Sequence, residues 1–263
     1  MREENYYEFQ LSMELLSYEI ERLSTYVHEN SICYYLLEQK LQKVSDFITD
    51  QKNVEIWNKW NHSKIFQQCA NQVRNVVIPA LSELEKYQAL QVSYSNPDTQ
   101  YIKQLNAIVL HELQNVNITE QSKVLFIGAG SFPTTALAIA KETGAQVLGV
   151  DIDQEAVSLG KNVVEKFRFG NKVSLTAHSI CNLAFVRQTT HVIVASLVPE
   201  KQQLLKKLSD LLQKNAIVIV RYGNGIKSLF NYPFRSEGLC EWQIIDVLEK
   251  RENMYDSIIV QKG

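Results

Sequence analysis

Apolar side chains recur every three or four residues through the first part of the chain. Leu11, Leu15, Leu16, Ile20, Leu23 and Val27 form one such stripe, the spacing that gathers side chains on one face of an α-helix. The same period continues over 31–48, 54–77, 79–90 and 97–116. Pro79 and the SYSNPD stretch at Ser93 to Asp98 mark the breaks, because proline ends helices and Asn-Pro favours a turn. No β-rich run interrupts these residues, so residues 1–118 are expected to form an all-α domain.

After Thr119 the period shortens. β-branched runs (VLFIG, QVLGVDID, VSLTAHS, HVIVASLV, AIVIVRY) alternate with helical segments (TALAIAKET, AVSLGKNVVEKF, QLLKKLSDLLQK). Strands alternating with helices predict parallel βαβ units covered on both faces. The last two runs, WQIIDVLEK and DSIIVQKG, have little between them and read as a hairpin at the sheet edge. A seven-stranded, Rossmann-like α/β domain over 119–263 follows, of the kind that holds a nucleoside cofactor.

The first strand of that domain runs into GAGSFPTT, with Gly128 and Gly130 between strand and helix. Glycines there let the backbone turn sharply and approach a ligand beside the positive end of the helix dipole. Pro133 costs little at a helix start, where the first N–H groups lack an intrahelical partner. A dinucleotide fingerprint would need a third glycine where Pro133 stands, which counts against NAD. The second strand ends in VDID, placing Asp151 where a carboxylate can accept both hydroxyls of a ribose. Asp151 or Asp153 could alternatively cap the next helix. Strand three leads into HSICN, so Ile152 and Ile180 are expected to bracket an adenine beside His178 and Ser179. Ala195, Ser196 and Leu197 lie at the end of strand four, on the edge where open α/β sheets bind ligands.

Composition narrows the classes without choosing among them. The 263 residues carry 27 Lys plus Arg against 29 Asp plus Glu, a formal charge of −2, which argues against a nucleic-acid surface spread over the molecule. Cys33, Cys69, Cys181 and Cys240 are scattered, with no CxxC pair, so all four read as small core residues and no metal site is expected. MREENYYEFQ lacks the basic and apolar regions of a signal peptide, and no apolar run reaches the ~20 residues of a membrane span. A cytoplasmic, reduced protein is expected.

These segments resemble the nicotianamine synthase family. The resemblance rests on GAGSFPTTALAIA, on the Asp-x-Asp strand VDIDQEAVSLGKNVV, on RYGNGIKSLFNYPF at Arg221 to Phe234, and on an all-α N-terminal region with NPDTQY at Asn96 to Tyr101. It implies the class I S-adenosylmethionine-dependent methyltransferase fold, with Gly128, Gly130, Phe132, Pro133, Asp151, Ile152, Ser179, Ile180 and Ser196 around S-adenosylmethionine. Within the family the chain is most similar to the short bacterial branch of staphylopine biosynthesis. That implies transfer of one 2-aminobutanoyl unit from S-adenosylmethionine to histidine, D-histidine in that branch, with release of methylthioadenosine. A downstream opine-type dehydrogenase would take the product, and a homodimer is a further expectation.

Alkylating an amine requires a base, because an α-ammonium is mostly protonated at neutral pH. The family uses a glutamate and a tyrosine. Tyr101 matches the tyrosine, but the glutamate position falls near CANQV, where this chain has Asn71 and Gln72. The nearest carboxylates are Glu83 and Glu85 in LSELEK, of which Glu83 is taken with Tyr101 as the catalytic pair; a solvated helix face is the plainer account of both. Arg221 and Lys227 stand at basic family positions and are expected to hold the acceptor's carboxylate, unless they pair with structural carboxylates instead. Tyr222, Phe230, Tyr232 and Phe234 would wall an imidazole or belong to the core. An ordinary small-molecule methyltransferase, or a catalytically silent cofactor-binding protein, would share the same cofactor half.

Overall fold

The computed structural model describes residues 4–92, 109–237 and 239–263. Four helices come first: α1 (Glu4–Tyr26), α2 (Ile32–Thr49), α3 (Gln51–Trp60) and α4 (Lys64–Gln91). Two of the breaks differ from the sequence expectation. Pro79 does not end a helix but lies inside α4, whose buried row of Val73, Val77, Ala80, Leu81 and Leu84 continues across it; tertiary packing offsets the hydrogen bond that proline removes. The break falls instead between α3 and α4, where the Ser63 hydroxyl accepts from the Phe66 N–H at 3.4 Å, so 54–77 is not one helix. Of the expected 97–116 segment, 109–114 is helical. The SYSNPD turn and Tyr101 lie outside the described residues.

The α/β part has all seven expected strands: β1 (Lys123–Ile127), β2 (Gln146–Val150), β3 (Val173–Thr176), β4 (His191–Val194), β5 (Ile217–Tyr222), β6 (Trp242–Leu248) and β7 (Asp256–Lys262). Helices α5 (Thr134–Thr143), α6 (Gln154–Lys166) and α7 (Lys201–Leu211) make the crossovers. The sheet order is β3-β2-β1-β4-β5-β7-β6, with β1, β2, β3, β4 and β5 parallel and β6 antiparallel to β7. This is the class I methyltransferase-like α/β fold. The order reverses between β1 and β4, and the crevice above their carboxyl ends is where such sheets take ligands. Val124, Phe126, Val147, Leu175, Ile193, Ile219 and Ile259 fill the core beneath it.

The chain forms two compact units, and neither is one continuous segment. The first comprises residues 1–84, 222–234 and 249–256, the second 85–221, 235–248 and 257–263. This differs from a cut at 118/119, because the end of α4 and residues 109–118 pack as part of the α/β unit. Ala89 and Val92 join Phe132 and Val163 in a buried cluster. The first unit is built on aromatic packing, with Phe66 4.7 Å from Tyr6, 5.1 Å from Phe9 and 6.1 Å from Trp57 between ring centres.

Candidate active site

β1 ends at Ile127 and α5 begins at Thr134, so the chain must turn within six residues. Gly128 and Gly130 take left-handed φ values of 87° and 65°, which a β-carbon disfavours. Space excludes a side chain as well. A Cβ on Gly128 would stand 2.7 Å from Val198 Cγ2, and one on Gly130 would stand 2.7 Å from Glu85 Oε2.

Asp151 follows β2 and braces this turn. Its Oδ2 accepts from the Gly130 N–H at 2.8 Å and its Oδ1 from the Asp153 N–H at 3.0 Å. Asp153 caps α6, accepting from the Glu155 and Ala156 N–H groups at 2.9 and 3.3 Å. The two aspartates of the VDID strand therefore have separate roles, and each Asp151 oxygen keeps a lone pair for a further donor.

Glu85 reaches the same turn from the last part of α4. Half-buried against Gly130, its carboxyl is pushed up to about 8, first by burial and then by the negative charge of Asp151. The neighbouring Lys86 does not relieve it. Its Nζ is held by Asp153 Oδ2 at 2.8 Å and Glu155 Oε2 at 2.6 Å, and this ammonium holds Asp153 below the usual carboxylate range. Two carboxyl groups thus share one glycine with no cation assigned to either among the described residues, an arrangement that raises proton affinity and marks functional sites. Ser131 adds a polar group without a partner among the described residues: it is 1% exposed and its Oγ makes no hydrogen bond to any of them.

The other expected site residues divide. Ser196 lies on the loop after β4, which the buried Lys201 holds by donating to the Ser196 and Val198 carbonyls at 2.9 and 2.5 Å. Ile152 is 96% exposed beside Asp151, Ser179 and His178 are exposed, and Ile180 is half-buried. Pro133 is buried at the start of α5. Phe132 departs from its expected role: it packs edge-on to Phe167 in the cluster with Ala89, Val92 and Val163.

Arg221 and Lys227 are corrected more sharply. Arg221 is 2% exposed and grips Glu112, with Nε 3.0 and 3.1 Å from its two carboxylate oxygens and Nη2 2.6 Å from Oε2, while Nη1 donates to Thr135 Oγ1 at 3.1 Å. Ser257 Oγ donates to the same Glu112 at 2.5 Å. In the first unit, Lys227 donates to Asp256 and to the Lys250 carbonyl at 2.5 and 2.8 Å. Both cations are engaged by structural carboxylates, since a buried charge must be paired. Tyr222, Phe230 and Phe234 are buried core residues of that unit, and half-buried Tyr232 lies 5.3 Å from the Arg74 guanidinium. Glu83 accepts from the Tyr34 hydroxyl at 2.9 Å, also in the first unit. Of the cysteines only Cys69 is buried, while Cys181 and Cys240 are exposed.

Among the described residues, no cluster of three His, Cys, Asp or Glu is placed to hold a metal ion, and no helix is long and apolar enough to cross a membrane. The sequence does carry a signal for preferring Glu85. It stands four residues after Leu81 and four before Ala89, an acid within an apolar row, whereas Glu83 lies off that row. Glu112 carried no comparable mark, because its partner is 109 residues away.

Comparison with known proteins places this architecture. The family model described as Nicotianamine synthase protein matches residues 88–263. L-histidine 2-aminobutanoyltransferase of Pseudomonas aeruginosa (strain UCBPP-PA14) is 31% identical over 249 residues, 94% of each chain. The Yersinia pestis protein of the same name is 30% identical over 249 residues, covering 94% of this chain and 92% of its own. Among solved structures, MtNAS in complex with MTA and tNA superposes with a TM-score of 0.76 at 16% identity, covering 98% of both chains. A glutamate-to-glutamine variant of MtNAS in complex with S-adenosylmethionine gives 0.75 at 14% identity, over 94% of this chain and 97% of that one. At such identities the structures establish the fold, and the sequence matches establish the kinship: the chain belongs to the nicotianamine synthase family.

Proposed function

We propose that this protein transfers one 2-aminobutanoyl (3-amino-3-carboxypropyl) unit from S-adenosylmethionine to the α-amine of histidine, releasing methylthioadenosine. The observation that carries this reading is the proton-seeking carboxyl of Glu85 at the Gly130 turn beside Asp151. A site that only bound the co-substrate would have no need of a base there; alkylation of an ammonium acceptor does need one.

The residues fit the co-substrate. Gly128 and Gly130 hold the turn in a left-handed backbone that glycine takes without strain, Asp151 has acceptor capacity for ribose hydroxyls, and Ser131 offers a hydroxyl without a partner among the described residues. S-adenosylmethionine supplies an activated γ-carbon whose bond to sulfur breaks as the new bond to nitrogen forms, the sulfur leaving with the electron pair. Glu85, rather than Glu83, takes the proton given up by the acceptor ammonium. Holding the two reactants in line supplies a large share of the acceleration. Tyr101, outside the described residues, is the proposed hydroxyl partner of that base.

The acceptor is histidine by two lines of support. The resemblance gives D-histidine, and the relatives from Pseudomonas and Yersinia carry L-histidine in their names. The product would be an intermediate of a staphylopine-type, nicotianamine-like metallophore, completed by an opine-type dehydrogenase.

Mass spectrometry of reactions with S-adenosylmethionine and either D- or L-histidine tests this reading. Methylthioadenosine together with a histidine adduct of one aminobutanoyl unit is expected, and the reactive enantiomer fixes the acceptor. S-adenosylhomocysteine would assign methyl transfer instead, and no product with either enantiomer would overturn the histidine assignment.

A further inference from the structure

Helix α7 buries one row of side chains, Lys201, Leu205, Leu208 and Ser209, at the spacing that gathers them on one face. The first member of that row is a cation. Lys201 is 1% exposed, as deep as Leu205, at a position where an apolar side chain would pack without the cost of burying charge. Replacing buried charged groups by apolar ones of similar volume is often neutral or stabilising. Packing alone therefore does not account for a lysine here.

The ammonium is answered by the loop that precedes it. Two of its three protons go to the Ser196 and Val198 carbonyls, at 2.9 and 2.5 Å, so the chain after β4 folds back over the start of α7. The same loop is fixed from its other side. The Ala195 N–H donates to the Ile127 carbonyl at 2.9 Å, extending the pairing of β4 with β1. Val198 packs on the glycine turn, where a β-carbon on Gly128 would stand 2.7 Å from Val198 Cγ2 and 3.0 Å from Ala195 Cβ. Between these anchors and the helix, Glu200 takes a left-handed φ of 52°, which a residue other than glycine keeps only where its surroundings over-determine it.

We infer that Lys201 is a positioning residue for the co-substrate: its buried ammonium locks the loop after β4 onto the Gly128 turn and so keeps that wall of the crevice preformed. The inference rests on the reading of this crevice as the S-adenosylmethionine site. Lifting the loop away would leave a buried ammonium without those two acceptors, which costs far more than breaking hydrogen bonds that water can replace. The loop is thus held in one place, and ligand binding does not have to order it. Lys201 acts through that loop rather than by touching the ligand.

Calorimetry with S-adenosylmethionine, thermal melts and amide exchange on the full chain test the inference. Lys201→Met is expected to keep the wild-type melting temperature or raise it, because the new side chain stays in the apolar row of α7. Its affinity for S-adenosylmethionine is expected to fall about tenfold. Amides of 195–198 should exchange slowly in the wild type with or without S-adenosylmethionine, and in the variant only with it. A variant that is destabilised or does not fold would make Lys201 a structural residue and overturn the assignment, as would a stable variant with wild-type affinity. Wild-type amides at 195–198 that gain protection only when S-adenosylmethionine is added would overturn it independently of any variant. A wild type that fails to bind S-adenosylmethionine would instead overturn the reading of the site, and this inference with it.

Discussion

Glu112 and Glu85 are carboxylates of the same α/β unit with opposite surroundings. Glu112, 2% exposed, is answered completely: Arg221 grips both oxygens and Ser257 donates a third contact. Glu85 faces a second carboxylate, Asp151, while the adjacent Lys86 is held by Asp153 and Glu155. Both carboxyls are withdrawn from solvent, Glu112 fully and Glu85 in part, so withdrawal from solvent alone does not distinguish structure from function. What differs is whether the charge is paired, because an unpaired carboxyl at a turn open to ligands keeps its proton and can exchange it.

Breaking the paired member should have the largest effect on the fold. Arg221→Met leaves Glu112 buried without its cation and is expected to cost about 3–5 kcal/mol in urea unfolding, and adding Glu112→Leu should recover much of that loss. The unpaired member should behave in reverse. Glu85→Gln is expected to lower turnover by about 10²–10⁴-fold, measured as methylthioadenosine release, without loss of stability, whereas Glu83→Gln should leave turnover nearly unchanged. Wild-type turnover of the Glu85 variant would remove it from the mechanism.

Asp151→Ala should weaken S-adenosylmethionine binding by about 1–3 kcal/mol in calorimetry, through lost charge-assisted hydrogen bonds. Unchanged affinity would sink the ribose role. The pH dependence sharpens the contrast further. With its folded value near 8, Glu85 should make kcat/KM rise as pH passes through about 8, and Glu85→Gln should flatten that rise. The same shift affects stability: the folded state keeps a proton that the unfolded chain has lost above ~4.3, so this contribution is present at low pH and fades as pH rises through about 8. His191 works in the opposite sense and is expected to give the smallest effect. Burial lowers it to about 4, so its contribution is present above ~6.5 and is lost as pH falls toward 4, a slope that His191→Gln should reduce in thermal melts.

The strands were legible because a fully buried parallel strand is a short β-branched run, and 123–127, 146–150, 191–194 and 217–222 are such runs. The glycine turn was legible because only glycine takes φ values of 87° and 65° without strain, as Gly128 and Gly130 do. The path through Pro79 was not, because local propensity yields to an apolar face that continues on both sides of it.

The sequence by itself determined the order of helices and strands, the glycine turn between β1 and α5 and the Asp151 that braces it, since each depends on residues near one another along the chain. Only the tertiary structure decided which charges are partnered. Arg221 and Glu112, or Lys227 and Asp256, meet across 109 and 29 residues, and no local pattern records whether a cation ends beside a carboxylate of the protein or is left for a substrate. Glu83 and Glu85 illustrate the same reason at short range. Two residues apart on a helix they point in different directions, and only the packing of α4 against Gly130 gives one of them a neighbour that changes its chemistry.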